Sequence, residues 1–339
     1  MRVLVTGHQG YLGTVMAPIL RQRGHEVTGL DTGYFAECVL GEVAPDPPTL
    51  RRDIRDVTSA DLVGYDAVIH LAALSNDPLG ALAPRITHAI NHAASVRLAE
   101  AAKAAGVRRF LYASTCSVYG AAGEEFVDED APVRPLTPYA ESKVRVEDDV
   151  AALADSGFSP VFLRNATAFG FSPRPRADIV LNNLVGYAVL TGVVRVASDG
   201  TPWRPLVHAA DIADAFATCL TAPTAAIHAR AFNIGAAFNN ASVAEIAQTV
   251  VDVVPASRLV ITGESGPDPR SYRVDFTRAG TELGFHARWG VRDGAAELYR
   301  EYGVRLLSPV DFFERFTRLT WLQRLRDSGG LDGELRWVS

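Results

Sequence analysis

The chain has 339 residues, 48% of them hydrophobic and 21% charged, with a formal net charge of −6 at pH 7. This length is enough for one large domain or two closely packed ones. The acidic balance and the lack of any run of five basic residues argue against a nucleic-acid partner. No apolar stretch reaches the ~18–20 residues of a membrane span, and no secretory cleavage site follows the N-terminus. Three widely spaced cysteines without a CxxC pair favour reduced thiols, no metal site and a cytoplasmic location.

The first predicted element is a short β-branched strand, "RVLVTG", which is followed by a glycine-rich turn and a helix pattern ending at Gly24. Gly7, Gly10 and Gly13 have the spacing GxxGxxG. Glycines at such a turn allow the backbone to approach a pyrophosphate, and the helix N-terminus offers N–H groups to it. The pattern predicts a dinucleotide site. A tight turn without a ligand is the alternative for three glycines alone.

A second predicted strand, "HEVTGLD", ends in Asp31, 18 residues beyond Gly13. An acid at this place typically accepts hydrogen bonds from the adenosine ribose hydroxyls of a dinucleotide. Its charge repels the 2′-phosphate of NADP, and the next basic residue is Arg51. We therefore predict NAD as the cofactor. A carboxylate that merely ends the strand is the alternative.

The strand and helix patterns continue to alternate as far as residue 115. The segments that show this alternation are "RRDIRD" (51–56), "AVIHLAA" (67–73), a long helix pattern over 84–105 and "RFLYAST" (109–115). Repeated strand–helix units with apolar strands require a parallel sheet with helices on both faces. We therefore predict an α/β fold with a doubly wound parallel sheet (Rossmann) and a smaller C-terminal substrate-binding lobe.

Candidate catalytic residues follow this fifth strand. Thr115 ends the strand, and Thr137 and Pro138 provide a cap and first turn for a helix near Tyr139. Lys143 lies four residues after Tyr139, hence on the same helix face. A nearby ammonium stabilises the phenolate and lowers the pKa of Tyr139, which can then remove a hydroxyl proton. An ordinary surface helix with a tyrosine and a lysine is the alternative.

These motifs together resemble the extended short-chain dehydrogenase/reductases, specifically the nucleotide-sugar epimerase/dehydratase group. The segments that carry the resemblance are "TGHQGYLG", "LD" (30–31), "DI" (53–54), "HLAA" (70–73), "STCSVYG" and "YAESK". The resemblance implies an enzyme that binds NAD and a nucleoside diphosphate-sugar. The implied catalytic residues are Thr115, Tyr139 and Lys143. The implied cofactor-binding residues are Gly7, Gln9, Gly10, Tyr11, Leu12, Gly13, Asp31, Asp53, Ile54, Leu71, Ala72, Ala73, Tyr139 and Lys143.

The resemblance also assigns substrate-binding residues, among them Thr115. "FLRNATAFG" is similar to the family's sixth strand, with Thr167 where asparagine is usual. Asn183 in "NNL" and Arg204 in "WRPLVHAADIADAF" are the implied diphosphate ligands, the arginine because its forked donors match phosphate. Either Arg270 or Arg273 takes the place of another phosphate arginine, and Arg270 is our choice.

The predicted domains are a NAD-binding domain over 1–168 and a mainly nucleotide-sugar-binding domain over 169–339. Within the second, 206–235 is expected to return to the Rossmann sheet. The family's homodimers imply a contact through the helices predicted at 84–105 and 139–155. From residue 306 onward the chain matches nothing in the family pattern.

One departure from the family pattern bears on the reaction. The 4,6-dehydratases follow the catalytic threonine with an Asp–Glu pair, and the decarboxylases keep an acid two places after it. Here Cys116 and Ser117 follow Thr115. The resemblance therefore implies an epimerase that acts at C4 through a transient 4-keto intermediate. A 4-ketoreductase that uses NAD(P)H and a non-catalytic NAD-binding scaffold are the alternatives.

Overall fold

The computed structural model describes residues 1–75, 83–123, 125–264 and 271–338. Its central feature is a sheet of seven parallel strands in the order β11-β7-β5-β4-β1-β2-β3. The strands are β1 (Arg2–Thr6), β2 (Glu26–Asp31), β3 (Thr49–Arg51), β4 (Ala67–His70), β5 (Arg109–Thr115), β6 (Phe126–Val127), β7 (Ser159–Asn165), β8 (Thr167–Phe169), β9 (Val193–Val196), β10 (Trp203–His208), β11 (Arg230–Ile234), β12 (Asn240–Ser242), β13 (Arg258–Ile261) and β14 (Arg273–Val274). The predicted doubly wound α/β fold is confirmed.

Helices cover both faces of this sheet. The α-helices of the described chain, including those of the smaller lobe, are α1 (Tyr11–Gln22), α2 (Pro84–Thr87), α3 (Ser95–Ala104), α4 (Pro138–Ala151), α5 (Val180–Thr191), α6 (Ala209–Thr221), α7 (Thr224–Ile227), α8 (Val243–Val253), α9 (Thr277–Leu283), α10 (Val291–Val304) and α11 (Arg318–Asp327). No helix in the described part of the chain is long and apolar enough to cross a membrane.

The alternation of side chains along β1 explains why both faces are buried. Val3 and Val5 are buried in one apolar cluster with Met16 of α1 and Phe216 of α6. Leu4, between them, is buried in a second cluster on the opposite face, which includes residues of α3 and α4. Because successive side chains of a strand point to opposite faces, an entirely apolar strand needs helices on both sides.

The helix predicted over 84–105 is interrupted in its middle. α2 and α3 are joined by a π-helix over His88–Ala94. Asn91 of this wider turn accepts a hydrogen bond from the backbone N–H of Leu74 at 2.8 Å and donates to the Leu74 carbonyl at 3.0 Å. π-turns inside helices are common near functional sites, and Leu74 directly follows the apolar segment after β4.

The smaller lobe is built from short sheets and a separate apolar cluster. β8, β10 and β12 form a three-stranded sheet, and β9 pairs with β13. The buried cluster of this lobe includes Leu181 of α5, Ile246 of α8 and Leu298 of α10. The chain re-enters the large sheet at β11, which lies parallel to β7. The carboxyl-terminal part of the chain also packs against the large sheet, since Leu322 and Leu331 are buried in the cluster that contains Leu4.

Candidate active site

A cavity of about 740 Å³ lies at the carboxyl ends of the central strands and extends to the smaller lobe. Ligands of open α/β sheets bind at this edge. The predicted site residues that line the cavity are Gly7, Gly10, Tyr11, Leu12, Gly13, Asp31, Asp53, Ile54, Leu71, Ala72, Ala73, Thr115, Tyr139, Lys143, Thr167, Asn183 and Arg204. Gln9 is not among the lining residues, and Arg270 lies outside the described residues.

The glycine-rich turn leaves no room for side chains where the chain passes from β1 to α1. Gly7 has φ +74°, and a Cβ there would lie 2.8 Å from the backbone nitrogen of Ala72. A Cβ on Gly13 would lie 2.4 Å from Cα of His8. The N-cap residue of α1, Gly10, has no side chain to cap the helix. The N-terminus of α1 therefore borders the cavity with exposed backbone donors, which suits a diphosphate.

Asp31 lines the cavity at the end of β2, where a ribose is expected. Its two carboxylate oxygens accept hydrogen bonds from the backbone N–H groups of Gln9 at 3.0 Å and Gly33 at 2.8 Å. Each oxygen keeps a further lone pair for a hydroxyl donor. The side chain of Gln9 donates instead to Asp46 at 2.8 Å. The structure thus separates Gln9, predicted to bind the cofactor, from the cavity: its backbone orients Asp31, and its side chain is held by another loop.

Asp53 and Ile54 lie at the same end of the cavity. Asp53 caps a short 3₁₀-helix and forms an ion pair with Arg55, with one N···O distance of 2.6 Å. Ile54 is buried and offers an apolar surface beside it. The carboxylate of Asp53 is therefore largely neutralised by Arg55. These features leave Asp31 as the acid of this end that is not paired with an arginine, and they fit the adenosine half of a dinucleotide.

The three predicted catalytic residues share the other part of the cavity. Thr137 caps α4 by accepting a hydrogen bond from the N–H of Ala140 at 3.2 Å, with Pro138 in the first turn. α4 thereby begins as the sequence predicts, and Tyr139 and Lys143 lie one turn apart. Nζ of Lys143 lies 5.7 Å from the ring centroid of Tyr139. Thr115, at the end of β5, accepts a hydrogen bond from the N–H of Ser117 at 3.1 Å.

Lys143 is buried, and its surroundings hold it in place. Its ammonium donates to the carbonyl of Ala113 at 2.6 Å and lies 4.6 Å from the ring centroid of Tyr112. Burial lowers the pKa of Lys143 to about 7, although the nearby Glu147 carboxylate opposes this effect. A cation in such a place is costly to desolvate and strongly affects neighbouring groups.

The two residues after Thr115 have different environments. Cys116 is fully buried, its thiol donates to the carbonyl of Arg164 at 3.0 Å, and burial raises its pKa well above the ordinary value. Ser117 lines the cavity with its hydroxyl 3.5 Å from that of Tyr272. Neither residue supplies a carboxylate near Thr115.

The predicted substrate residues lie on the smaller-lobe side of the cavity. Asn183, in the first turns of α5, donates to the carbonyl of Ala177 at 2.8 Å. Arg204 of β10 donates to the carbonyl of Trp203 at 2.8 Å. Arg273 packs over the ring of Trp203 at 4.0 Å from its centroid and is not among the lining residues. Thr167 lines the cavity at the start of β8.

Five charged lining residues were not among the predicted site residues: Arg52, Arg176, Asp178, Arg195 and Arg318. Arg176 and Asp178 form a buried ion pair at 2.9 Å, and Arg176 also donates to the Ser75 hydroxyl at 3.2 Å. Arg318, the first residue of α11, is 2% exposed and lines the same cavity. The paired arginines of "SPRPRAD" were a signal for a buried cation; Arg318 lies in a segment without any motif.

Comparisons with known proteins agree with this geometry. A sequence model described as the NAD dependent epimerase/dehydratase family matches residues 3–235, more than half of the chain. A UDP-glucose 4-epimerase of Mycolicibacterium smegmatis is 30% identical over 312 residues, which cover 88% of this chain and 97% of that protein. A dTDP-glucose 4,6-dehydratase of Actinoplanes sp. is 30% identical over 322 residues, which cover 89% of this chain and 98% of that protein.

A solved structure with a bound cofactor and nucleotide-sugar is also similar to this chain. MoeE5 in complex with UDP-glucose and NAD is similar with a TM-score of 0.74 and 31% identity, over 91% of this chain and 100% of that chain. The relatives include both an epimerase and a dehydratase, so sequence similarity by itself leaves the reaction open.

Proposed function

The chain belongs to the NAD dependent epimerase/dehydratase family, and on this basis we propose that it inverts the configuration at C4 of a nucleoside diphosphate-sugar through a transient 4-keto intermediate. Its cofactor is NAD, and the glycine turn, the N-terminus of α1 and Asp31 fit the two halves of that dinucleotide. The proposal concerns the reaction and the substrate position, which the family alone does not determine.

The observation that carries the proposal is that, among the described residues, no available carboxylate lines the cavity beside Thr115. Among the described residues that line the cavity, the carboxylates are Asp31, Asp53 and Asp178. Asp31 and Asp53 lie at the adenosine end, and Asp178 is bound by Arg176 at 2.9 Å. Elimination across C5 and C6 needs an acid and a base beside the sugar. Because Cys116 is buried and Ser117 carries a hydroxyl, the described part of the site supports oxidation and reduction at C4 rather than elimination.

Each catalytic residue has a distinct proton or hydrogen-bond role in this proposal. Tyr139 removes the proton of the C4 hydroxyl and later returns a proton to the ketone oxygen. Lys143 stabilises the phenolate of Tyr139 by its positive charge. Thr115 donates a hydrogen bond to the C4 oxygen in its alcohol and ketone forms. Bound NAD supplies the acceptor, and afterwards the donor, of the C4 hydride. The two half-reactions balance, so no external oxidant or reductant is consumed.

The nucleotide-sugar is placed by the smaller lobe. Asn183 and Arg204 line the cavity on that side, and we assign them to the substrate diphosphate. Thr167 lies at the junction between the lobes, where it faces the sugar. An inverting epimerase must let the keto-sugar turn over while its diphosphate stays bound. Diphosphate-binding residues on the smaller lobe and separate catalytic residues on the larger lobe meet this requirement.

The proposal can be tested in D₂O with UDP-glucose and NAD, with the products identified by NMR. We expect UDP-galactose without solvent deuterium on the sugar, since only C4 reacts and its hydrogen returns through the cofactor. A 4-keto-6-deoxy product with solvent deuterium at C5, where the proton lost in the elimination is replaced, would show a dehydratase and overturn the proposal. Oxidation of NADPH by an added nucleotide-linked 4-keto-sugar, without epimerisation, would show a ketoreductase and also overturn it.

A matched control is Tyr139→Phe, which removes one hydroxyl. This variant should retain NAD at the wild-type amount per chain while it loses turnover, so that a loss of product cannot be attributed to a missing cofactor. Equal epimerisation by Tyr139→Phe and wild type would point to a different base and refute the assignment.

A further inference from the structure

The carboxyl-terminal segment, residues 311–338, lies against the adenosine end of the NAD site; we call it the C-terminal strap. It lies outside the stretch matched by the family model, which ends at residue 235. The indole N–H groups of Trp321 and Trp337 donate to the carbonyls of Tyr34 and Thr32, both at 2.7 Å. Tyr34 and Thr32 directly follow β2 and line the cavity. The strap therefore fastens the loop that begins at Asp31.

A second set of contacts ties the end of the strap to the segment that flanks the adenine position. Arg55 donates to the carbonyl of Glu334 at 2.7 Å, and Arg336 forms an ion pair with Asp56 at 2.6 Å. Arg55 is the residue that neutralises Asp53. The strap thus contacts both loops that border the adenosine half of the cofactor.

Arg318 lies at the start of the helix that the strap contributes, and it is buried within the cavity wall. Its guanidinium lies over the ring of Phe35, 4.0 Å from the centroid. Nη2 donates to the carbonyl of Arg174 at 3.4 Å. Nη1 is buried and has no hydrogen-bond partner among the described residues. Burial lowers the pKa of Arg318 to about 10, so the side chain stays positively charged at neutral pH.

A buried cation that lines a binding cavity with one N–H group lacking an acceptor among the described residues points to an anionic ligand, because an unsatisfied buried donor is destabilising. The position of Arg318 indicates which anion. Arg318 lines the same cavity as Asp31 and the glycine turn, and it packs on Phe35, four residues beyond Asp31. Arg174, whose carbonyl it contacts, donates in turn to the hydroxyl of Thr14 in α1 at 3.1 Å. Arg318 therefore lies beside the loop that follows β2 and near the first turns of α1, where the diphosphate of a dinucleotide is expected.

We propose that Arg318 binds the diphosphate of NAD together with the glycine turn, and that the C-terminal strap thereby retains the cofactor. In this arrangement the N-terminus of α1 would bind the diphosphate with backbone N–H groups, and the guanidinium would bind it as a charged donor. This role rests on NAD as the cofactor and is independent of whether the reaction is epimerisation.

The test compares ligands with and without a diphosphate. On protein freed of NAD, calorimetry with ADP-ribose and with adenosine is carried out for wild type, Arg318→Gln and Arg318→Lys. A charged hydrogen bond to phosphate typically changes affinity by roughly 10- to 100-fold. We expect Arg318→Gln to lose ADP-ribose affinity in this range and to keep adenosine affinity within about twofold. Arg318→Lys keeps the positive charge but lacks the paired N–H donors of the guanidinium, and its affinity for ADP-ribose should fall several-fold.

The amount of NAD that copurifies with each variant, released by denaturation and measured by mass spectrometry, gives a second readout that does not depend on activity. Arg324→Gln is the matched control, since Arg324 lies on the same helix with 60% of its side chain exposed. It should retain NAD as wild type does. Melting temperatures measured without ligand show whether the variants fold. If Arg318→Gln does not fold, the same comparison is made with Arg318→Lys.

Two results would overturn the proposal. Equal losses for adenosine and ADP-ribose would mean that Arg318 only supports the shape of the site. A loss of affinity for UDP with unchanged ADP-ribose binding would assign the arginine to the substrate diphosphate instead.

Discussion

Lys143→Met should change how the stability of the protein depends on pH. The lowered pKa of Lys143, about 7 against 10.5, means that the unfolded chain binds a proton between these values while the folded chain does not. Stability then rises with pH, by up to about 1.4 kcal/mol for each pH unit and each proton. From pH 7 to pH 9 the free energy of unfolding of the wild type should therefore rise by about 2 kcal/mol relative to that of Lys143→Met, because methionine does not titrate.

The measurement is urea unfolding of NAD-free protein at several pH values, with the difference between the two proteins plotted against pH. Other titrating groups are common to both proteins and cancel in this difference. Lys103→Met serves as control: Lys103 is 36% exposed and bound to Asp155, and its variant should follow the wild-type profile. Parallel profiles for wild type and Lys143→Met between pH 7 and 9 would show that the ammonium is not desolvated, and would refute the reasoning.

Three further substitutions test the roles of single residues. Tyr139→Phe should lower kcat by about 10²–10⁴-fold, the usual value of a general acid–base group, in a coupled assay; activity within threefold of wild type would contradict the assignment. Asp31→Ala should lower the affinity for NAD and reduce the preference of the protein for NAD over NADP, because the acceptor for the ribose hydroxyls and the repulsion of a 2′-phosphate are lost together. The affinities for both cofactors are measured, and an unchanged ratio of the two would place the ribose elsewhere. Arg204→Lys should raise KM for a nucleotide-sugar about tenfold, since lysine lacks the paired N–H donors of a guanidinium that two phosphate oxygens require. The affinity for NAD should stay unchanged. Equal affinities of wild type and variant for UDP would argue against a diphosphate contact.

Local patterns were sufficient for the elements whose geometry is set within a few residues. The glycine turn is one of these, because a Cβ on Gly7 or Gly13 would lie within 3 Å of backbone atoms. The start of α4 is another, because a threonine cap and a proline determine its first turn and therefore place Tyr139 and Lys143 on one face. The fold class follows from apolar strands that need cover on both faces.

The structure also corrects or extends what short patterns indicate. The pattern over 84–105 has the periodicity of one helix, and the π-turn at His88–Ala94 depends on the bonding of Asn91 to a distant loop. Gln9 stands in the glycine-rich motif, yet its side chain turns to Asp46, which comes from another loop. Such partners are far apart in sequence, and periodicity carries no information about them.

The sequence by itself determined the parallel sheet, the glycine turn and the placement of Tyr139 and Lys143 on one helix face, since their causes are steric and local. Only the tertiary structure decided which charged side chains are buried in the cavity wall. Arg318 lies 287 positions after Asp31 in a segment without a motif, and its significance comes from burial against Phe35 with one N–H group lacking a partner in the described chain. Burial and the pairing of charges depend on every element that closes over a side chain, and for this reason the C-terminal strap became interpretable only once its place beside β2 was known.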